Sequence, residues 1–158
     1  MVYLRKLFTY LIFILILSCL ASCSSSKGPL FKRVSNIPAH QSVVYLFRSN
    51  DKVNTDFLIT LNDKKTCIME NNGYFPVLVN EGKVVIKSFV QFKFFATGLL
   101  DMATADSSLL VFKANPGKSY YVECLTKESS PQELNLKLVP ENYGGIKIKN
   151  CPLLKPGL

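Results

Sequence analysis

Over most of Ser42 to Val139, with a break between Gln91 and Ser108, the chain changes character every second residue and turn signals separate the alternating runs; few folds accommodate that pattern. In Ser42–Arg48, Val43, Tyr45 and Phe47 share one face while Ser42 and Arg48 share the other, the alternation of a half-buried strand. Asp56–Asn62 repeats it with Phe57, Ile59 and Leu61 on one side, and Asn62-Asp63-Lys64-Lys65 turns the chain into Thr66–Glu70 as a hairpin. Asn71-Asn72-Gly73 and Asn80-Glu81-Gly82 bound a strand with Phe75, Val77 and Val79 in phase. Pro76 interrupts its amide donors and so places it at a sheet edge.

Lys83–Val90 alternates Val84, Ile86 and Val90 against Lys83 and Lys87. Leu109–Lys113 is followed by the tight turn Asn115-Pro116-Gly117-Lys118 and by Ser119–Leu125, where Tyr120, Val122 and Cys124 are in phase. Glu133–Val139 sets Leu134, Leu136 and Leu138 against Glu133, Asn135 and Lys137, and Ile146 with Ile148 predicts a last short strand. No helical period intervenes that could carry a parallel crossover. The expected fold is therefore all-β, a small antiparallel β-sandwich or barrel.

The stretch before this domain reads differently. Arg5 and Lys6 precede the apolar run Leu7–Leu20, which ends in Leu20-Ala21-Ser22-Cys23. A helix of that length rises about 21 Å, short of the roughly 30 Å hydrocarbon layer, so a cleaved secretory signal is expected rather than a permanent span. Small residues before a cysteine form a lipobox, with Cys23 the residue that takes the diacylglycerol. Cys19 is the weaker acylation site because Leu17 is bulky where the motif prefers a small residue. The expected division is a signal over 1–22, an acylated cysteine and flexible Ser/Lys/Pro/Gly tether over 23–40, the sandwich over 41–150 and an irregular tail over 151–158.

Charge and cysteines bound the chemistry. The formal charge of the 158 residues is +8, and loss of Arg5 and Lys6 leaves about +6. The lysines are scattered and the chain carries an export signal, which argues against a nucleic-acid partner and leaves an anionic membrane or envelope polymer beside the anchor. Three cysteines remain in the mature chain, Cys67, Cys124 and Cys151; none has redox or metal spacing, so they read as small apolar core residues or as one disulfide with a thiol left over.

His40 is the only imidazole and stands without a partner in sequence, the acidic residues are scattered, and Gly144-Gly145 lacks the rest of a phosphate loop. The expectation is no catalytic residue, no metal and no cofactor. One segment is too apolar for a solvated loop: between Gln91 and Ser108, Phe92, Phe94, Phe95, Leu99, Leu100 and Met102 either close the core or form a candidate partner surface.

Val44-Tyr45-Leu46-Phe47-Arg48, the Gly82-Lys83 turn before Val84-Val85-Ile86, and Pro116-Gly117-Lys118-Ser119-Tyr120-Tyr121-Val122 together resemble the bacterial lipoprotein family catalogued as domain of unknown function 2846. That family often has Pro-Gly-His where this chain has Glu81-Gly82-Lys83, and the aromatic segment is longer here. The resemblance implies a prealbumin-like or immunoglobulin-like sandwich on an envelope lipoprotein and supplies no catalytic residues. Ser24 after the cysteine, rather than Asp, favours the outer membrane in the enterobacterial sorting pattern that such lipoproteins resemble. The expected function is a lipid-anchored, non-catalytic module binding an envelope protein or polymer; the alternative is a hydrolase or small-ligand carrier whose site forms only in the fold.

Overall fold

A computed structural model describes residues 28–49, 51–90 and 108–156. Eight strands form two four-stranded sheets: β1 Gln41–Arg48, β2 Phe57–Leu61, β3 Lys64–Met69, β4 Gly73–Asn80, β5 Gly82–Val90, β6 Ser108–Ala114, β7 Ser119–Lys127 and β8 Ser130–Val139. The first sheet runs β4-β1-β7-β8 and the second β3-β2-β5-β6. The expected sandwich is thus present, with every alternating segment from Ser42 to Val139 in a strand. Pro76 sits on β4, an edge strand as its missing donor requires.

Turn chemistry places the corners. Asn62 and Asp63 both take positive φ, 48° and 63°, the backbone of a two-residue hairpin turn between β2 and β3. Asn62 then clips that turn to β5, its side-chain oxygen accepting from the Val85 amide at 2.8 Å and its own amide donating to the Val85 carbonyl at 2.8 Å. Gly82 at φ 115° and Gly117 at φ 71° lie where the chain passes from one sheet to the other, conformations that a side chain would strain.

The core lies between the sheets. Val44 and Leu46 from β1, Phe57, Ile59 and Leu61 from β2, Val84, Ile86 and Val90 from β5, Val122 and Cys124 from β7, and Leu134 and Leu136 from β8 fill it. Apart from Val44 and Leu46, which lie on the opposite face of β1 from Val43, Tyr45 and Phe47, these are in-phase residues of the sequence pattern, and of the in-phase residues of β8 Leu138 stays exposed on that edge strand.

Four expectations are overturned. β1 is not half-buried: Ser42 through Arg48 are all shielded from solvent, because Val43, Tyr45 and Phe47 lie in a second apolar cluster outside the first sheet. That cluster is covered by Phe31, Val34 and Ile37, which belong to the stretch expected to be tether. Phe31 packs edge-on against Tyr45 and Tyr74, with both ring centroids 5.2 Å away, and the Val34 amide donates to the Tyr45 hydroxyl at 2.9 Å. Residues 28–40 are therefore part of the fold, because a central strand that is apolar on both faces needs a cover on each.

The expected last strand at Ile146 and Ile148 is instead helix α1, Glu141–Lys147, running into a 3-10 turn over Ile148–Asn150. Two residues apart on a helix lie nearly opposite one another, so Ile148 is buried while Ile146 is 68% exposed. Gly144 lets α1 approach β7: a Cβ there would lie 2.5 Å from the Cβ of Tyr121.

β1 and β7 pair in parallel, Val43 beside Ser119 through Phe47 beside Glu123. No helical crossover is needed, because between β1 and β7 the chain passes through β2 and β3 in the second sheet, β4 in the first, and β5 and β6 in the second again. The tail is irregular but docked: Cys151 is buried, and Leu153 accepts from the Gly28 amide and donates to the Pro29 carbonyl.

Candidate functional site

The most deeply buried charged residue among the described residues is Arg48, at the end of β1. Arg48 lies in phase with Val44 and Leu46, so it points between the sheets, its guanidinium 5.3 Å from the centre of the Phe57 ring. It is wholly buried and fully engaged: Nη1 donates to the Thr55 carbonyl and Nη2 to the Val53 carbonyl, each at 2.6 Å, and Nε to Asp51 Oδ2 at 3.2 Å.

Asp51 in turn accepts from the Thr126 amide and hydroxyl, both at 2.8 Å, and from the Val53 amide at 3.3 Å. Asn71 brackets its backbone, accepting from the Asp51 amide and donating to its carbonyl. Burial pushes the Asp51 carboxyl up, but the Thr126 and Val53 donors and the Arg48 charge outweigh it and hold the group below the usual carboxylate range. A carboxylate saturated by these donors ties β1, the 51–56 connection and β7 together and has little acceptor capacity left for a substrate. Sequence reading placed Arg48 on a solvated face, and the one available signal was its phase with Val44 and Leu46.

The thiols are likewise structural. Burial pushes Cys124 up to about 12, with nearby Arg48 partly opposing it, and burial together with neighbouring Cys124 raises Cys67 further. Cys151 directs its Sγ toward the Arg48 and Lys147 carbonyls at 3.8 and 3.9 Å. His40 is a turn residue at φ 68° whose carbonyl accepts from the Glu81 amide. Among the described residues no three of His, Cys, Asp and Glu converge as metal ligands.

The two outer faces of the sandwich differ. The first sheet is covered by residues 31–37 and α1, whereas on the second the register aligns an apolar stripe in which Leu58, Ile68, Val85 and Phe89 are half-buried and Leu109 and Val111 are exposed. Ile68 lies beside Leu58, Leu58 beside Phe89, and Val85 beside Val111, with Leu109 opposite Lys87. Leu109 and Val111 are 60% and 48% exposed, although both alternate in phase with a strand's outer, normally polar, positions.

At one end of the stripe Lys83 and Lys113 face one another directly across β5 and β6, a like-charge pair that destabilises a sheet and is ion-paired to nothing among the described residues. Lys87 differs, holding Asp63 at 2.6 Å. Leu58, Phe89, Leu109 and Val111 with Lys83 and Lys113 constitute the candidate site, a surface suited to a partner that is apolar in part and acidic at one end.

Cys23 and the expected partner surface of Phe92, Phe94, Phe95, Leu99, Leu100 and Met102 lie outside the described residues. The latter belong to the connection between β5 and β6, the two strands that contribute Val85, Phe89, Leu109 and Val111 to the open face. No protein-family model, curated protein or solved structure matches the chain. The class that the structure defines is accordingly the architecture alone, a β-sandwich with one outer face covered and the other left open among the described residues.

Proposed function

We propose that the protein is a lipid-anchored, non-catalytic module of the bacterial envelope that binds a protein or an anionic envelope polymer through the open face of its second sheet. The observation that carries this reading is the asymmetry of the sandwich: one outer face has its own cover, and the other leaves Leu109 and Val111 in solvent beside two facing lysines. The lipobox ending in Cys23 and the resemblance to the lipoprotein family support the anchor and the envelope setting. Engagement of Arg48 and Asp51 in bonds within the fold supports binding over catalysis.

The test has two arms. Intact-mass measurement of the membrane-extracted protein should show diacylglycerol-modified Cys23, and Cys23→Ala should lose it; lipid remaining on the variant would move the site to Cys19. A photo-crosslinker at Val111 should capture a discrete product in cells that Lys83→Glu with Lys113→Glu abolishes. A capture profile identical to that of an unrelated lipoprotein would overturn the binding role.

A further inference from the structure

Because residues 28–40 are built into the fold, the free chain between the anchor and the domain is much shorter than the sequence suggested. Gly28 is already held, its amide donating to the Leu153 carbonyl at 3.0 Å, and Leu30 bridges to Pro152. From Cys23 to Gly28 is five residue steps, which span at most about 17 Å when fully extended. The face where Gly28 enters is thus confined near whatever surface holds Cys23.

That face has the composition a phospholipid surface would select. Phe31, Lys32, Arg33, Asn142, Ile146 and Lys149 line an open groove between the entering segment and α1, with Glu141 at its side. Three cations meet one carboxylate there, and the carboxylate is taken up by Arg33 in an exposed ion pair of 2.8 Å. Leu30 and Ile146, 61% and 68% exposed, are apolar side chains with no core to join.

We infer that this groove face, with Lys32, Arg33, Ile146 and Lys149 along it, docks on the anionic headgroups of the membrane that holds the anchor, leaving the open second sheet free for its partner. The inference rests on the lipid-anchor reading above. Charge complementarity supplies the attraction, since each Lys or Arg near an anionic leaflet is attracted over roughly a Debye length, about 8 Å at physiological salt. The short connection supplies the high local concentration that makes three cations and the exposed Ile146 sufficient.

The experiment uses the full chain, acylated in cells and reconstituted into vesicles. Ile146→Cys carries an environment-sensitive fluorophore; Cys67, Cys124 and Cys151 are buried and do not compete for it. In vesicles containing phosphatidylglycerol, the probe should shift to the blue and be quenched by headgroup-nitroxide lipid, and both effects should fade in pure phosphatidylcholine. Lys32→Gln, Arg33→Gln and Lys149→Gln should each lower the docked-to-undocked ratio about fivefold, while the same probe at Val111→Cys should stay in water.

An acylated protein whose Ile146 probe remains unquenched, or whose Val111 probe is quenched equally, overturns the docking and leaves the anchor intact. Intact mass showing no lipid on Cys23 overturns the anchor and the docking together.

Discussion

Replacing Asp51 with asparagine removes one charge and leaves its shape, which isolates the role of the buried Arg48 pair. In the wild-type fold Arg48 has no solvent access, and Asp51 neutralises it while accepting from Thr126 and Val53. Breaking a buried pair from one side costs about 3–5 kcal/mol, because the remaining charge is left uncompensated. Two carbonyls, of Val53 and Thr55, still solvate the guanidinium, so the lower end, about 3 kcal/mol, is expected for Asp51→Asn. Against a total stability of roughly 5–15 kcal/mol this is a large fraction, and it corresponds to a fall in Tm of about 10 °C for a domain of this size.

Urea unfolding should show the midpoint falling with an unchanged m-value. The pH dependence supplies the sign. A carboxyl whose folded pKa is depressed contributes stability that is fully present above its unfolded value, about 3.9, and is lost as pH falls through the lower folded value. The gap between wild type and Asp51→Asn should therefore be widest near neutrality and close in acid. A double variant with Arg48→Met should cost less than the sum of the two single changes. A loss below about 1 kcal/mol at neutral pH, the value of an exposed pair, would refute the reasoning, as would a gap that persists unchanged into strong acid.

Two further outcomes follow from the packing. Gly144→Ala brings a Cβ within 2.5 Å of the Tyr121 Cβ, a contact between two backbone-proximal atoms that only displacement of α1 can relieve; a loss of about 1–3 kcal/mol is expected in denaturant unfolding, and a neutral result would mean that α1 is not seated on β7 as described. The thiols of Cys67 and Cys124 should resist a water-soluble disulfide reagent at mildly alkaline pH and react only on unfolding, since both are buried and their pKa values are raised; prompt labelling of the native protein would contradict their placement.

The alternation of apolar residues and the Asn, Gly and Pro punctuation sufficed to predict all eight strands, and the phase of Phe57, Ile59, Val84, Ile86 and Val122 predicted which side of β2, β5 and β7 would be buried. Those are local properties: period two follows from the pleat, and positive φ follows from which residues tolerate it. What sequence could not reveal is how often a face is covered. Val43, Tyr45 and Phe47 look like the buried side of a half-exposed strand until β1 is found in the middle of its sheet, with Phe31, Val34 and Ile37 over it.

The same limit hid the candidate site and the docking of residues 28–40. Leu109 and Val111 are unremarkable as strand residues, and only the pairing β3-β2-β5-β6 aligns them with Val85, Phe89, Leu58 and Ile68 on a face that nothing else in the described fold covers. Arg48 reads as a surface cation until tertiary structure supplies Asp51, Val53 and Thr55 around it. Ile146 and Ile148 fit a strand by spacing, and the room Gly144 leaves against Tyr121 lets a helix dock there instead. Sequence alone thus determined the strands and turns, which depend on neighbours in the chain. Which faces meet, which cations are buried and how residues 28–40 join the fold depend on residues far apart in sequence, and only the tertiary structure decided them.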